Sequence, residues 1–146
     1  MKFYSSFNAI YIKIGPYASE EVVLNLLNTK CISAMLYGTE ACPVMSRHKH
    51  SLVTRVFMKI LCTGSKQIVE ESQKYFGFLP VSHRIDIRTA RFLGRYRTSE
   101  NSLCSVFYDQ ARKHMNELSV KFDITKVSSW HILHNAIHTS FFDVNN

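Results

Sequence analysis

Ser19 to Pro43 reads SEEVVLNLLNTKCISAMLYGTEACP, and its reading decides the fold. Ser19 suits a helix N-cap, and Glu20 and Glu21 fall in the first turn, where the helix dipole favours negative charge. Val23, Leu27, Cys31 and Ala34 then recur at helical spacing, with Val22, Leu24, Leu26 and Met35 widening the apolar stripe. Lys30 comes late in the helix, and Gly38 suits the left-handed position just past its end. The second half of the stretch, KCISAMLYGTEACP, admits three readings: half a metal site, one arm of a disulfide, or the end of a buried helix. Ten residues separate Cys31 from Cys42, not the two to four of a zinc-binding arm. Cys62 and Cys104 stand alone, and no Cys-x-x-Cys occurs. Four cysteines in 146 residues are too sparse for a disulfide scaffold. Cys31 sits on the apolar stripe, where a thiol packs as a small hydrophobe. The stretch is a helix end.

The same periodicity extends outward in both directions. A first helix is expected over Lys2–Ile14, burying Phe3, Phe7, Ile10 and Ile14 and stopped by Gly15-Pro16. A third runs from Ser46 to about Cys62 on the pairs Leu52/Val53, Val56/Phe57 and Ile60/Leu61, and Thr63-Gly64-Ser65 closes it. A short fourth covers Lys66 to Phe76 and stops at Gly77. Pro80 fits the first turn of a fifth, whose inner face is Ile85, Phe92, Leu93 and Tyr96. After a loop capped by Ser99 or Asn101, a sixth over Leu103–Leu118 buries Leu103, Phe107, Ala111, Met115 and Leu118. No strand pair, repeat or low-complexity segment is legible. The expectation is an all-α bundle of five to six helices. It occupies residues 1–118, followed by a divergent tail, 119–146, that is helical near 130–141.

Composition limits the function classes. At 46% hydrophobic and 12% aromatic the chain can build a core, and three prolines and five glycines favour long helices. The formal charge of +7 and pI near 9.4 suit a polyanionic partner, nucleic acid before an anionic membrane surface. No run approaches the length of a membrane span. The N-terminal segment imitates a signal peptide, but Ser5, Ser6, Asn8 and Lys13 interrupt its apolar run, so an intracellular location, cytoplasm or nucleus, is expected.

Several constellations resemble sites and fall to plainer readings. His131, His134 and His138 share one side of the tail helix, without the carboxylate of a His-Glu-x-x-His site, and flank the Trp130/Leu133/Ile137 stripe as boundary residues. KYFGFLP, Lys74 to Pro80, imitates the aromatic strand of an RNA-recognition motif. It lacks the glycine after the basic residue, and Pro80 would interrupt a strand, so a helix end with core aromatics is expected. No phosphate-binding glycine loop or nucleophile elbow occurs.

The charge pattern says more. Between Glu40 and Glu70 there is no acid, while Arg47, Lys49, Arg55, Lys59 and Lys66 all occur. In the fifth helix Arg84, Arg88, Arg91 and Arg95 fall within about a 60° arc at ~100° per residue. Only Asp86 opposes them there. A solvated face normally mixes signs, and this one does not; the planar arginine fork suits phosphate oxygens. Solvated surface and phosphate-backbone contact are the two main readings of this stripe, with an acidic protein partner as a third.

A set of motifs in register adds a family. SFNAIYIKIG, ASEEVVLNLLNTKC, MLYGTEACPV, FMKIL, YFGFLPVSHRI, RTARFL and NSLCSVFY, in this order and spacing, resemble the C-terminal, post-palm portion of reverse transcriptases from non-LTR retrotransposons. The resemblance covers about Phe3 to Leu118. It implies a thumb-like helical region beside an RNA-directed DNA polymerase active site, with basic side chains along the template–primer backbone. The intact parent enzyme would use paired aspartates and divalent magnesium. Asp86, Asp109, Asp123 and Asp143 are nowhere adjacent, so no catalytic or metal-binding residue carries over and no cofactor is expected. The implied reading is a palm-less, truncated remnant that is not an enzyme and binds RNA or DNA backbone weakly. Arg84, Arg88, Arg91 and Arg95 would do so, helped by Arg55 and Lys59. The alternative is a helical protein-interaction module, with self-association through an orphaned apolar face and no nucleic-acid role.

Overall fold

The computed structural model describes residues 2–15, 17–39, 46–124 and 129–143. Pro16, Glu40, Cys42 and Pro43 lie outside the described residues. Every regular element among the described residues is a helix, as the periodicity requires. Two compact units emerge, Met1–Gly38 with Val44–Val81, and Thr39–Pro43 with Ser82–Asn146.

In the first unit, α1 (Lys2–Ile14) buries Phe3 and Phe7, with the Phe7 and Tyr11 rings stacked at 5.4 Å. The Gly15 N–H donates to the Tyr11 carbonyl at 2.8 Å as the helix ends. The stretch from Ser19 departs from a uniform helix. α2 (Glu20–Leu26) passes without a break into a π-helical segment, Leu27–Ile32, and a last α-turn, α3 (Ser33–Met35). Widened i→i+5 turns advance the buried face by one residue. Val23, Leu27 and Cys31 are buried as expected, but Ile32 and Leu36 follow them inward, whereas Ala34 and Val22 face solvent. Hydroxyls stitch the stretch to its own carbonyls: Thr29 Oγ1 donates to Asn25 O at 2.9 Å, and Ser33 Oγ reaches back five residues to Asn28 O at 3.2 Å. Ser19 occupies the N-cap with extended backbone, yet its side chain makes no capping bond; its carbonyl accepts from the Val23 N–H. Gly38 has φ +74°, the left-handed conformation expected of it.

α4 (Ser46–Ile60) buries Val53, Val56, Phe57 and Ile60. It ends before Cys62, which takes a left-handed φ of 49° while the Thr63 N–H donates back to Met58 O at 3.0 Å. Ser65 caps α5 (Lys66–Tyr75), its hydroxyl accepting from the Ile68 N–H at 3.4 Å. Gly77 closes α5 with φ +62°, and the Phe78 N–H donates to Gln73 O at 2.7 Å. Phe78 then packs edge-to-face on Phe57 at 4.8 Å. KYFGFLP is therefore a helix end, although Tyr75 points to solvent rather than to the core.

In the second unit, α6 (Val81–Arg97), α8 (Tyr108–Lys121) and α9 (Trp130–Phe142) enclose one apolar cluster. Ala90, Leu93, Ala111, Met115, Leu118, Leu133 and Ile137 form its buried centre, with Ile87, Phe92 and Tyr96 packed against it. The expected sixth helix is divided. A single turn, α7 (Ser102–Val106), is capped by Asn101, whose Oδ1 accepts from the Leu103 N–H at 2.9 Å. Phe107 at φ −102°, ψ 16° breaks the helical path before α8. The break turns Leu103 and Phe107 outward, at 68% and 49% exposure, so neither serves the core expected of them. α8 runs through Leu118 to Lys121, so the expected change of region after Leu118 falls inside a helix. The tail helix forms as α9, capped by Ser129, with Leu133 and Ile137 fully buried. No helix among the described residues is long and apolar enough to cross a membrane.

Candidate nucleic-acid interface

α6 carries the arginine stripe. Arg88, Arg91 and Arg95 line one groove of about 320 Å³ together with Phe92. Four positions spaced i, i+3, i+4 and i+7 share a helix face, which is why one unbroken helix suffices to gather them. Arg91 and Arg95 are exposed, and Arg88 is half-buried. The Arg91 guanidinium lies 5.5 Å from the centre of the Trp130 ring on α9, a cation–π contact that limits its rotamers. Asp86 turns to α8: Lys121 Nζ donates to Asp86 Oδ2 at 2.5 Å, and only 15% of the Asp86 side chain is exposed. The acid that shares α6 with the arginines is thereby engaged elsewhere.

Arg84 differs from the other three. Burial pushes its guanidinium down to about 10, below the ordinary arginine range, and its charge is felt by His138 on α9. It shares the arc of the other three but lies one turn before the groove, half-buried. Arg55 and Lys59, on α4, belong to the first unit. Lys59 Nζ donates to Asn8 Oδ1 at 3.0 Å and sits 5.1 Å over the Tyr11 ring, fastening α4 to α1. Arg55 is exposed and lines a separate groove with Lys66. Of the six basic residues picked out by sequence, three converge.

Two contributors were not read as part of the site. The spacing places Phe92 on the inner face, yet it is half-buried and lines the groove between the arginines. The run Arg88-Thr-Ala-Arg91-Phe92-Leu-Gly-Arg95 carried that signal, since an aromatic interleaved with basic residues supplies a stacking surface beside phosphate contacts. Trp130 is the other, and nothing in its local sequence points to Arg91, thirty-nine residues away.

The remaining candidates are plain. His134 and His138 rings lie 4.6 Å apart, and His131 packs on Trp130 with ring centres 3.8 Å apart. Burial first, then the neighbouring His134 and Arg84 charges, hold the His138 imidazole below its ordinary 6.5. Among the described residues no three His, Cys, Asp or Glu side chains converge as metal ligands. Cys31 (buried), Cys62 (exposed) and Cys104 (half-buried) are free thiols. Comparison with protein-family models, curated proteins and solved structures finds no match.

Proposed function

We propose that the chain binds the sugar–phosphate backbone of RNA or DNA without sequence preference, as a thumb-like region related to non-LTR retrotransposon reverse transcriptases. The observation that carries this reading is the α6 groove, where Arg88, Arg91 and Arg95 surround Phe92 while Lys121 holds Asp86. Guanidinium forks match phosphate oxygens, and an aromatic beside them accepts a base of any identity. The ancestry rests on the seven motifs in register and nothing else. No polymerase chemistry is assigned, because the aspartates of these 146 residues are nowhere adjacent.

Filter binding of homopolymer single strands across a salt series tests the reading. Affinity should fall linearly with salt on logarithmic axes, and Arg91→Ala/Arg95→Ala should reduce that slope by about two, one per lost phosphate contact. No binding at low salt, or an unchanged slope in the double variant, sinks it. A second reading, a protein-interaction module, is favoured by α7. Leu103 and Val106 are 68% and 72% exposed, next to the half-exposed Phe107. Light scattering separates the two, since a monomer at high concentration argues against self-association through that turn.

A further inference from the structure

The α4–α5 groove of the first unit takes no part in the reading above. It encloses about 450 Å³, and its lining includes Arg55 and Met58 from α4 and Lys66, Val69, Glu70 and Gln73 from α5. Gln73 is 3% exposed, yet its side-chain amide makes no hydrogen bond. Among the described residues no fully buried side-chain nitrogen or oxygen lacks a partner. The unpaired Gln73 amide therefore keeps its polar atoms open to the groove it lines. A nearly buried amide without a partner is costly in a fold and available to a ligand.

The order of groups along α5 says which ligand. Lys66, Glu70 and Gln73 are spaced i, i+4 and i+7, on one face, with Lys66 and Gln73 about 10 Å apart along the axis. That span is comparable with the reach from phosphate to base edge in a nucleotide. Lys66 stands at the positive end of the α5 dipole, across from Arg55, where a phosphate is favoured. Glu70, in the middle, is an acceptor suited to the paired hydroxyls of a ribose, and it opposes a longer chain of phosphates. The Gln73 amide offers one donor and one acceptor side by side, the pattern that pairs with a base edge. Met58, half-buried on α4, supplies apolar surface for the base plane. We propose that the α4–α5 groove binds a nucleoside monophosphate unit, phosphate on Arg55 and Lys66, ribose on Glu70 and base on Gln73.

The full chain carrying Arg91→Ala/Arg95→Ala is the test protein, so that the α6 groove cannot account for the result. Its methionine methyls and glutamine amides are followed by NMR while adenosine 5′-monophosphate is added. The Met58 methyl and the Gln73 amide should shift and saturate at about millimolar ligand, with the Met115 methyl of the other unit unmoved. Adenosine and ribose 5-phosphate should each bind about tenfold more weakly, and Arg55→Ala, at an exposed position, should weaken the complete nucleotide about tenfold. Gln73→Leu should abolish the preference for the nucleotide over ribose 5-phosphate; should that variant not fold, Arg55→Ala carries the test. A short oligoadenylate run in parallel distinguishes the source: saturation of the same two signals by the oligomer assigns a strand-borne unit, and saturation by the free nucleotide alone assigns a metabolite. Ribose 5-phosphate matching the nucleotide overturns the proposal, and so does silence of Met58 and Gln73 towards both nucleotide and oligomer.

Discussion

Cys31 shows what burial does to one side chain. Its exposure is 2%, and desolvation pushes the thiol above its ordinary 9.0, so little reactive thiolate forms. Cys62, at the end of α4, is exposed. With an alkylating reagent under native conditions Cys62 should label first and Cys31 roughly tenfold more slowly or worse, because Cys31 must wait for local opening. Mass spectrometry of timed digests reads the two rates, and equal rates would remove Cys31 from the core. His138 makes a pH prediction. Its folded-state affinity for a proton is lowered by burial and by the His134 and Arg84 charges, so the unfolded chain binds that proton more readily. Stability contributed by the neutral ring is present above the ordinary 6.5 and is lost as pH falls below it, through the lowered folded value. Thermal melts should therefore drop between about pH 7 and pH 5, and His138→Asn should flatten that drop. A profile identical in the variant would show that the ring carries no such penalty. His134 is legible in the tail's own i, i+3, i+7 spacing, whereas Arg84 on α6 is not.

Helix ends were the most legible elements. Gly77 is expected to stop the helix that begins at Lys66, and it does so in the left-handed region, with two backbone bonds closing the turn. Gly77→Ala should cost about 1 kcal/mol, since an L side chain pays for that conformation. Urea unfolding measures it through a lower midpoint with an unchanged slope, and a variant as stable as the parent would place the turn's strength elsewhere. The interiors were less legible. Apolar spacing of three and four predicts an α-helix over Ser19–Gly38, and the π-helical turns at Leu27–Ile32 shift the buried face from Ala34 to Ile32 and Leu36. Thr29 and Ser33, whose hydroxyls bond into that stretch, are visible in the sequence but common in ordinary helices too. The interruption at Phe107 is of the same kind. Leu103, Phe107, Ala111, Met115 and Leu118 have helical spacing throughout, but only the last three meet α6 and α9 in the core. Period alone registers which residues can share a face; a neighbour decides whether the face is used.

For the whole molecule, a formal charge of +7 attracts polyanions from any side, so charge alone cannot identify a site. A charge-matched pair of variants separates the groove from the background. Arg91→Ala/Arg95→Ala and Arg112→Ala/Lys113→Ala each remove two exposed positive charges, the second pair from α8 outside the groove. Only the first should flatten the salt dependence of homopolymer binding by about two, with the second staying close to the parent chain. Equal losses would assign the binding to net charge. The sequence by itself determined the helical class, most helix ends and the arginine arc on α6, because these follow from periodicity, capping residues and geometry within one helix. Tertiary structure alone decided which arginines form a surface. Arg84 is drawn towards α9, Lys59 is tied to α1, and Arg91 is steadied by Trp130. It also decided that Gln73 would lie nearly buried with its amide open to a groove. Each of these depends on which helix faces which across many residues of chain, and no local pattern encodes that.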